Sequence, residues 1–319
     1  MSPTLSPKSA SPDRVLSFDG GGIRGVLTLI LLERLDDAVP GWRRRADLLA
    51  GTSTGGIVAL GLAHGLSPRE LRDLYETRSA EIFADSWRDN LRDLGTLVGA
   101  QYSLRPLSRV LRSMFGTTTL GDLSRRVLIS TFDLDNRNPD PLKRSWAPKF
   151  FHNYPGRDGD REQLACRVAL YTSAAPTFFP SVDGYIDGGV VANNPAMAAL
   201  AQTQDRRSVR RPAPLEQIAL LSLGTGRNLM RIGGGRHDWG QTQWVKPLLG
   251  LITAGNMSIA DYQCRQLLGD RYHRVSPVFP EDQSFPMDGW RRIPELVEFA
   301  STLDLTATVA WLKDYWLDG

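Results

Sequence analysis

Leu48-Leu49-Ala50-Gly51-Thr52-Ser53-Thr54-Gly55-Gly56 passes from three apolar residues into a glycine-flanked serine, and a second apolar run, Ile57 to Ala63, follows. A short apolar run that breaks into glycine predicts a buried strand, and the longer run after it predicts a buried helix closed by Gly65. Between them, Gly51-Thr52-Ser53-Thr54-Gly55 is a G-x-S-x-G pentapeptide. On a sharp strand-to-helix turn such a serine projects its hydroxyl from the sheet, and the flanking glycines relieve the crowding. The helix beyond aims its N-terminal dipole at the serine, which favours negative charge developing there. A chance match in a Gly/Ser-rich turn is the bland alternative, so the surroundings have to carry the reading.

Upstream, Val15 to Phe18 is another short apolar run, and it ends in Asp19-Gly20-Gly21-Gly22-Ile23-Arg24-Gly25 before a Leu- and Ile-rich helix, Val26 to Leu35. Consecutive glycines allow several backbone N–H groups to converge on one anion. An acyl-transfer enzyme needs such donors for the oxyanion of its tetrahedral intermediate. The same residues also fit a dinucleotide-binding fingerprint, Gly20-x-Gly22-x-x-Gly25, so a Rossmann-type oxidoreductase is the rival. That fingerprint requires an acid about 20 positions on, at the end of the second strand. Asp47 is nearest by spacing, but it precedes the strand that runs into the serine turn. No Gly-Lys-Ser/Thr follows, which removes a P-loop.

Ser67, Pro68 and Glu70 form a helix start with cap, first-turn proline and capping-box acid, predicting a helix from Pro68 to about Phe83. Val127 to Phe132 and Ile218 to Leu223 are β-rich, and Phe150-Phe151-His152 reads as strand. Leu164 to Tyr171, Pro195 to Gln204, Trp244 to Leu268 and Pro294 to Leu317 read as helical. Strands alternating with helices predict an α/β fold with a central, mainly parallel sheet flanked by helices. Residues 14–319 are expected to form one domain, and residues 1–13, rich in Ser and Pro, a disordered leader.

The chain has 319 residues, 41% hydrophobic and 23% charged, which is ample for a core. It offers no run of about 18 apolar residues and no secretory-type start, so the cytoplasm is the expected address. Cys166 and Cys264 lack metal or disulfide spacing and read as core residues. Asp133-x-Asp135-x-Arg137 departs from a calcium loop at Arg137 and Asn138 and reads as a surface turn, so no metal is expected. Nothing calls for another cofactor. The net charge is +3, with arginines crowded at Arg43 to Arg45 and at Arg206, Arg207, Arg210 and Arg211. Such runs usually form a solvated face, and they also suit an anionic membrane surface. No aromatic-basic motif points to nucleic acid.

Tyr185-Ile186-Asp187-Gly188-Gly189 sets an acid on a tight turn after a short strand. Alone it is an ordinary turn. In the order D-G-G-G-x-R-G, G-x-S-x-G and D-G-G, however, the three motifs resemble the patatin-like phospholipase family. Ser173 to Pro180 and Leu223-Gly224-Thr225-Gly226 resemble family segments as well, and the likeness covers most of Asp13 to Asp261. The resemblance implies a three-layer patatin-like fold and a phospholipase A-type lipid acyl hydrolase. By motif, Ser53 is its nucleophile and Asp187 its general base. The amides of Gly20, Gly21 and Gly22 form the oxyanion hole, helped by Arg24. Its partner is a phospholipid or other acyl lipid met at a membrane surface. The apolar segments Phe178-Phe179-Pro180 and Trp244 to Ile252 fit a flank of the site, and they fit buried core at least as well. Some bacterial members of the family are effectors triggered by nucleotide signals, which keeps a ligand-triggered phospholipase as a further reading. Oligomeric state is left open.

A hydrolytic serine ordinarily works with histidine. Of the four, His64 ends the helix after the serine, His152 lies in an aromatic strand, and His237 and His273 fall among Arg and Gly. None has an acid at a telling spacing. A Ser-Asp dyad works only where burial or a lost counter-charge raises the acid toward the working pH.

Overall fold

The computed structural model describes residues 14–83, 99–156, 159–209, 211–235 and 237–317. The expected leader, 1–13, and Arg210 lie outside these. The described strands form a seven-stranded sheet: β1 (Arg14–Phe18), β2 (Leu48–Thr52), β3 (Arg126–Asp133), β4 (Ala147–His152), β5 (Tyr185–Asp187), β6 (Ala219–Leu223) and β7 (Tyr272–Val275). Side by side the order is β4-β3-β2-β1-β6-β7, with β5 also on β3. β1, β2, β3, β6 and β7 are parallel, whereas β4 and β5 run antiparallel to β3.

The helices are α1 (Gly25–Ala38), α2 (Thr54–His64), α3 (Pro68–Phe83), α4 (Leu104–Phe115), α5 (Ala165–Thr172), α6 (Gly189–Ala192), α7 (Ala196–Thr203), α8 (Gln241–Leu268), α9 (Ile293–Thr302) and α10 (Thr306–Trp311). Successive strand residues face opposite sides of a sheet, and the core divides accordingly. Leu16, Phe18, Leu49 and Leu221 pack under α1, α2, α5 and α9. Val15, Leu48, Ala50 and Leu220 pack under α7 and the C-terminal end of α8, including Cys264. Burial on both faces explains why β1, β2 and β6 are continuous apolar runs rather than alternating ones. Cys166 and Cys264 are both buried thiols, as core residues should be.

Helix α3 starts where its signals place it: Ser67 N–H donates to Glu70 Oε2 at 2.7 Å and Glu70 N–H to Ser67 Oγ at 3.2 Å. Three of the named elements lie outside the sequence reading, one of them the four-residue α6, where only a turn was expected. Helix α4 follows Ser103, whose Oγ accepts Arg105 N–H, and buries Leu107, Val110 and Leu111. Strand β7 has only four residues and pairs β6 alone, so it carries little periodicity of its own. Among the described residues no helix is long and apolar enough to cross a membrane.

Because β1, β2, β3 and β6 point the same way, the chain leaves all four at one edge of the sheet, where α/β folds gather their sites. The arginine runs lie at the other edge. Arg43 to Arg45 precede β2, and Arg206 to Arg211 fall between α7 and β6. Arg43 is paired with Asp36 at 2.6 Å, as a solvated face with internal ion pairs should be.

Candidate active site

β2 ends at Thr52 and α2 begins at Thr54, so Ser53 alone makes the turn, at φ 55 and ψ −125. A side chain rarely adopts this backbone, and holding one there costs about 1–3 kcal/mol. Close packing explains the glycines around it. A Cβ on Gly51 would lie 2.1 Å from the Gly55 carbonyl oxygen, and one on Gly55 would lie 2.3 Å from that of Phe18. The Ser53 amide is already committed: it donates to Thr172 Oγ1 at 2.7 Å, and that hydroxyl donates to the Ser130 carbonyl at 2.6 Å.

β3 has one edge filled by β4, so β2 and β5 share the other. The last β2 pair is Thr52 with Ser130, and the first β5 pair is Asp187 with Thr131. β5 therefore takes over along β3 at the point where β2 turns away into Ser53. Gly188 lets the chain pass close by, since a Cβ there would lie 2.3 Å from the Ser130 oxygen.

Asp187 is buried, with 5% of its surface exposed. Burial pushes its carboxyl up to about 6, opposed by the nearby Ser53 side chain and by the Gly189 amide. The latter reaches Oδ1 at 2.7 Å. The short helix α6 behind it is pinned by α8: Asn256 Nδ2 donates to the Gly189 carbonyl at 2.9 Å, and its Oδ1 accepts Asn193 N–H at 3.0 Å.

The glycine loop is built from its carbonyls. The Gly20 carbonyl accepts Thr225 Oγ1 at 2.8 Å. The Gly21 carbonyl accepts the Arg24 amide at 3.2 Å and Arg24 Nε at 3.3 Å. A trans peptide points its N–H opposite to its C=O, so these anchors fix the directions of the Gly21 and Gly22 amides. Neither amide meets an acceptor among the described residues. The Gly20 amide differs, because it donates to the Asn193 carbonyl at 3.0 Å. Of the three expected donors, then, one is used structurally. Arg24 also reaches the Gly226 carbonyl at 3.2 Å, and burial pushes its guanidinium down to about 10, with Asp19 opposing. It braces the loop through carbonyls.

Ser53, Asp187 and the loop line one cavity of about 500 Å³. One arm runs between α3 and α4, past Leu74, Ile82, Leu107, Val110, Leu111 and Met114. None of the four histidines lines it. His273 bonds Thr308 at 2.9 Å and stacks on Trp311, and His64 meets Phe115 edge-on. Asp47 sits before β2, at the edge away from the site, where its Oδ2 accepts Arg14 N–H at 3.2 Å. Asp133 and Asp135 accept amides two residues on, at 3.1 Å each, and Asp135 is paired with Arg144. This is the turn expected there.

Thr172, Asn193, Thr225 and Asn256 support the site without having been singled out in the sequence. Thr225 lies within the quoted segment Leu223 to Gly226, Thr172 directly precedes the quoted Ser173 to Pro180, and Asn193 follows Asp187-Gly188-Gly189 closely; Asn256 lies inside a helix and carries no local signal.

A family model for patatin-like phospholipase matches residues 16–200, which include the glycine loop, Ser53 and Asp187. CotR of Bacillus subtilis is 30% identical over 330 residues, covering 95% of this chain and 98% of its own. A cGAMP-activated phospholipase of Pseudomonas aeruginosa is 30% identical over 275 residues, 85% of this chain and 80% of that one. Patatin-like protein 2 of Arabidopsis thaliana is 27% identical over 336 residues, 90% of this chain and 80% of that one. With a family match over more than half its length and relatives aligned nearly end to end, the chain belongs to the patatin-like phospholipase family of lipid acyl hydrolases.

Proposed function

We propose that the chain cleaves acyl esters of membrane lipids, with Ser53 as nucleophile and Asp187 as its base. The observation that carries this is geometric: Ser53 at its strained turn, the buried Asp187 carboxyl and the glycine loop line one cavity, and burial pushes that carboxyl up to about 6. An acid at its ordinary value of 3.8 is a poor proton acceptor for a hydroxyl, and burial improves it.

In the first step Ser53 Oγ bonds to the ester carbonyl carbon while its proton passes to Asp187. The carbonyl oxygen becomes an oxyanion against the amides of Gly21 and Gly22, whose orientation Thr225 and Arg24 fix. Such preorganised donors act without rearrangement during the reaction. The C–O bond to the alcohol then breaks, and the departing oxygen takes the proton from Asp187. Water, deprotonated by Asp187, attacks the acyl-enzyme, and collapse releases the fatty acid and restores Ser53. The apolar arm between α3 and α4 suits the acyl chain.

The test is mass spectrometry of liposome lipids after incubation with the purified protein, with Ser53→Ala alongside. Free fatty acid and lysolipid should form with the native chain only. Fluorophosphonate labelling of a serine other than Ser53 overturns the assignment. Because one relative is a cGAMP-activated phospholipase, the assay is run with and without added cyclic dinucleotide, which separates a constitutive enzyme from a triggered one.

A further inference from the structure

Helix α8 has 28 residues and so spans about 42 Å, whereas the five-residue strands beside it span roughly 17 Å. It enters from the loop after β6 and leaves into β7, so its N-terminal half extends past the edge where the site lies. One face of that half, with Leu249, Thr253 and Met257, lines the cavity. On the opposite face, at helical spacing, stand Trp244, Leu248, Leu251, Ile252 and Ile259, all exposed. Soluble helices turn such a stripe inward; this one turns it to solvent. No charged residue occurs from Pro247 to Ala260. Beside it, Leu229 and Met230 are 69% and 88% exposed, and Met230 also lines the cavity.

We propose that this stripe, with Leu229 and Met230, is the face on which the protein docks to an anionic lipid bilayer, α8 lying in the interface with the cavity opening into it. The inference rests on the acyl-hydrolase reading for its purpose, since the substrate lies in a bilayer. Two observations choose the bilayer as occupant. The exposed apolar surface meets the cavity that would take an acyl chain at Met230, which belongs to both. The described part of the stretch 227–260 carries Arg227, Arg231 and Lys246 against the single acid Asp238, and its Trp239 and Trp244 suit the headgroup level. A helix with an apolar face and basic flanks lies in an interface rather than crossing it. The arginine runs before β2 and β6 are at the wrong edge to contribute.

The test pairs Leu248→Ser/Ile252→Ser, neither of which touches the cavity, with the Ser53→Ala chain. Binding is measured by co-sedimentation with vesicles of phosphatidylglycerol and phosphatidylcholine, and with phosphatidylcholine alone. Catalysis is read separately, on a water-soluble short-chain ester. Ser53→Ala should sediment with anionic vesicles like the native chain. The double variant should bind about tenfold more weakly or worse and hydrolyse the soluble ester at the native rate. Leu251→Cys bearing an environment-sensitive fluorophore should brighten on anionic vesicles. Equal vesicle binding by the double variant overturns the proposal. So does a native dimer that the double variant dissolves without change in vesicle binding, which would mark the stripe as a contact between copies. Absence of soluble-ester hydrolysis in the native chain would instead strike at the acyl-hydrolase reading, leaving the vesicle result to stand by itself.

Discussion

Arg274 on β7 meets Asp19 fork to fork, Nη1 to Oδ1 at 3.1 Å and Nη2 to Oδ2 at 2.5 Å, with both side chains buried. Burial works against the guanidinium's charge, yet its pKa is pushed above the ordinary value because Asp19 lies against it. The same Nη1 donates to Ser222 Oγ at 2.6 Å, tying β7 to β6 and to the first residue of the glycine loop. Asp19 falls inside the family match and Arg274 beyond it.

Breaking this pair from one side should be costly. Arg274→Met leaves a buried carboxylate without its partner, a loss of about 3–5 kcal/mol. Asp19→Asn/Arg274→Met should be less destabilised than the two single changes added together. Urea unfolding of the four chains gives the coupling, and strict additivity would remove the pair's structural role.

Ser53 should be both necessary and strained. Ser53→Ala is expected to abolish ester hydrolysis and fluorophosphonate labelling while the circular dichroism stays native. Ser53→Gly is expected to be equally inactive but more stable than Ser53→Ala by about 1 kcal/mol, because glycine accepts positive φ without penalty. Thermal melts of the pair decide the point.

Asp187 sets a pH signature. Turnover should rise with pH through one ionisation near 6 and then level. Asp187→Asn should be inactive, since an amide cannot accept the proton, whereas alanine at any single histidine should leave most activity. The native carboxyl is raised relative to the unfolded chain, so its contribution to stability is full below about 4 and is lost as pH climbs through about 6. Asp187→Asn should therefore unfold no later than the native chain at pH 4 and later above pH 6, by up to about 3 kcal/mol. Equal melting temperatures at pH 8 would show that burial does not load this carboxyl.

The glycine loop should respond in turnover. A Cβ on Gly21 would lie 2.2 Å from Thr225 Oγ1, the group that holds the Gly20 carbonyl. Gly21→Ala should cut kcat about 100- to 1,000-fold, the usual loss for an oxyanion donor. Arg24→Met removes the Nε bond to the Gly21 carbonyl while the backbone amide of residue 24 still reaches it, and should act in the same direction more weakly. An effect confined to KM would make the loop a substrate-binding element instead.

Much of the frame was legible because β1, β2 and β6 are buried on both faces and break abruptly into glycine, leaving one reading for each run. The serine turn announced itself because only glycine fits beside it at 51 and 55. Asp187 was visible only by its place in a series of motifs, since a three-residue strand shows no period. Arg274, Thr172 and Asn256 were not legible, because what they do depends on partners brought near by the sheet order. Helix α4 is a different case. Leu104, Leu107, Val110, Leu111 and Phe115 carry the helical period plainly, so this element is legible in the sequence by itself. The oxyanion donors were read from the glycines alone, and the loop's carbonyl anchors show that backbone freedom does not say which amide is left open.

The sharing of one β3 edge by β2 and β5 makes the spacing of Ser53 and Asp187 indifferent to most of the chain between them. Loops, α3 and α4 can lengthen or shrink without disturbing it, because neighbouring rungs at Ser130 and Thr131 set the separation. A single residue inserted between those rungs would move Asp187 by about 3.3 Å and turn its side chain to the opposite face of the sheet. Diversification in this scaffold is thus open to the segments that wall the apolar arm and closed to one peptide bond in the middle of a strand that holds neither of the proposed catalytic side chains.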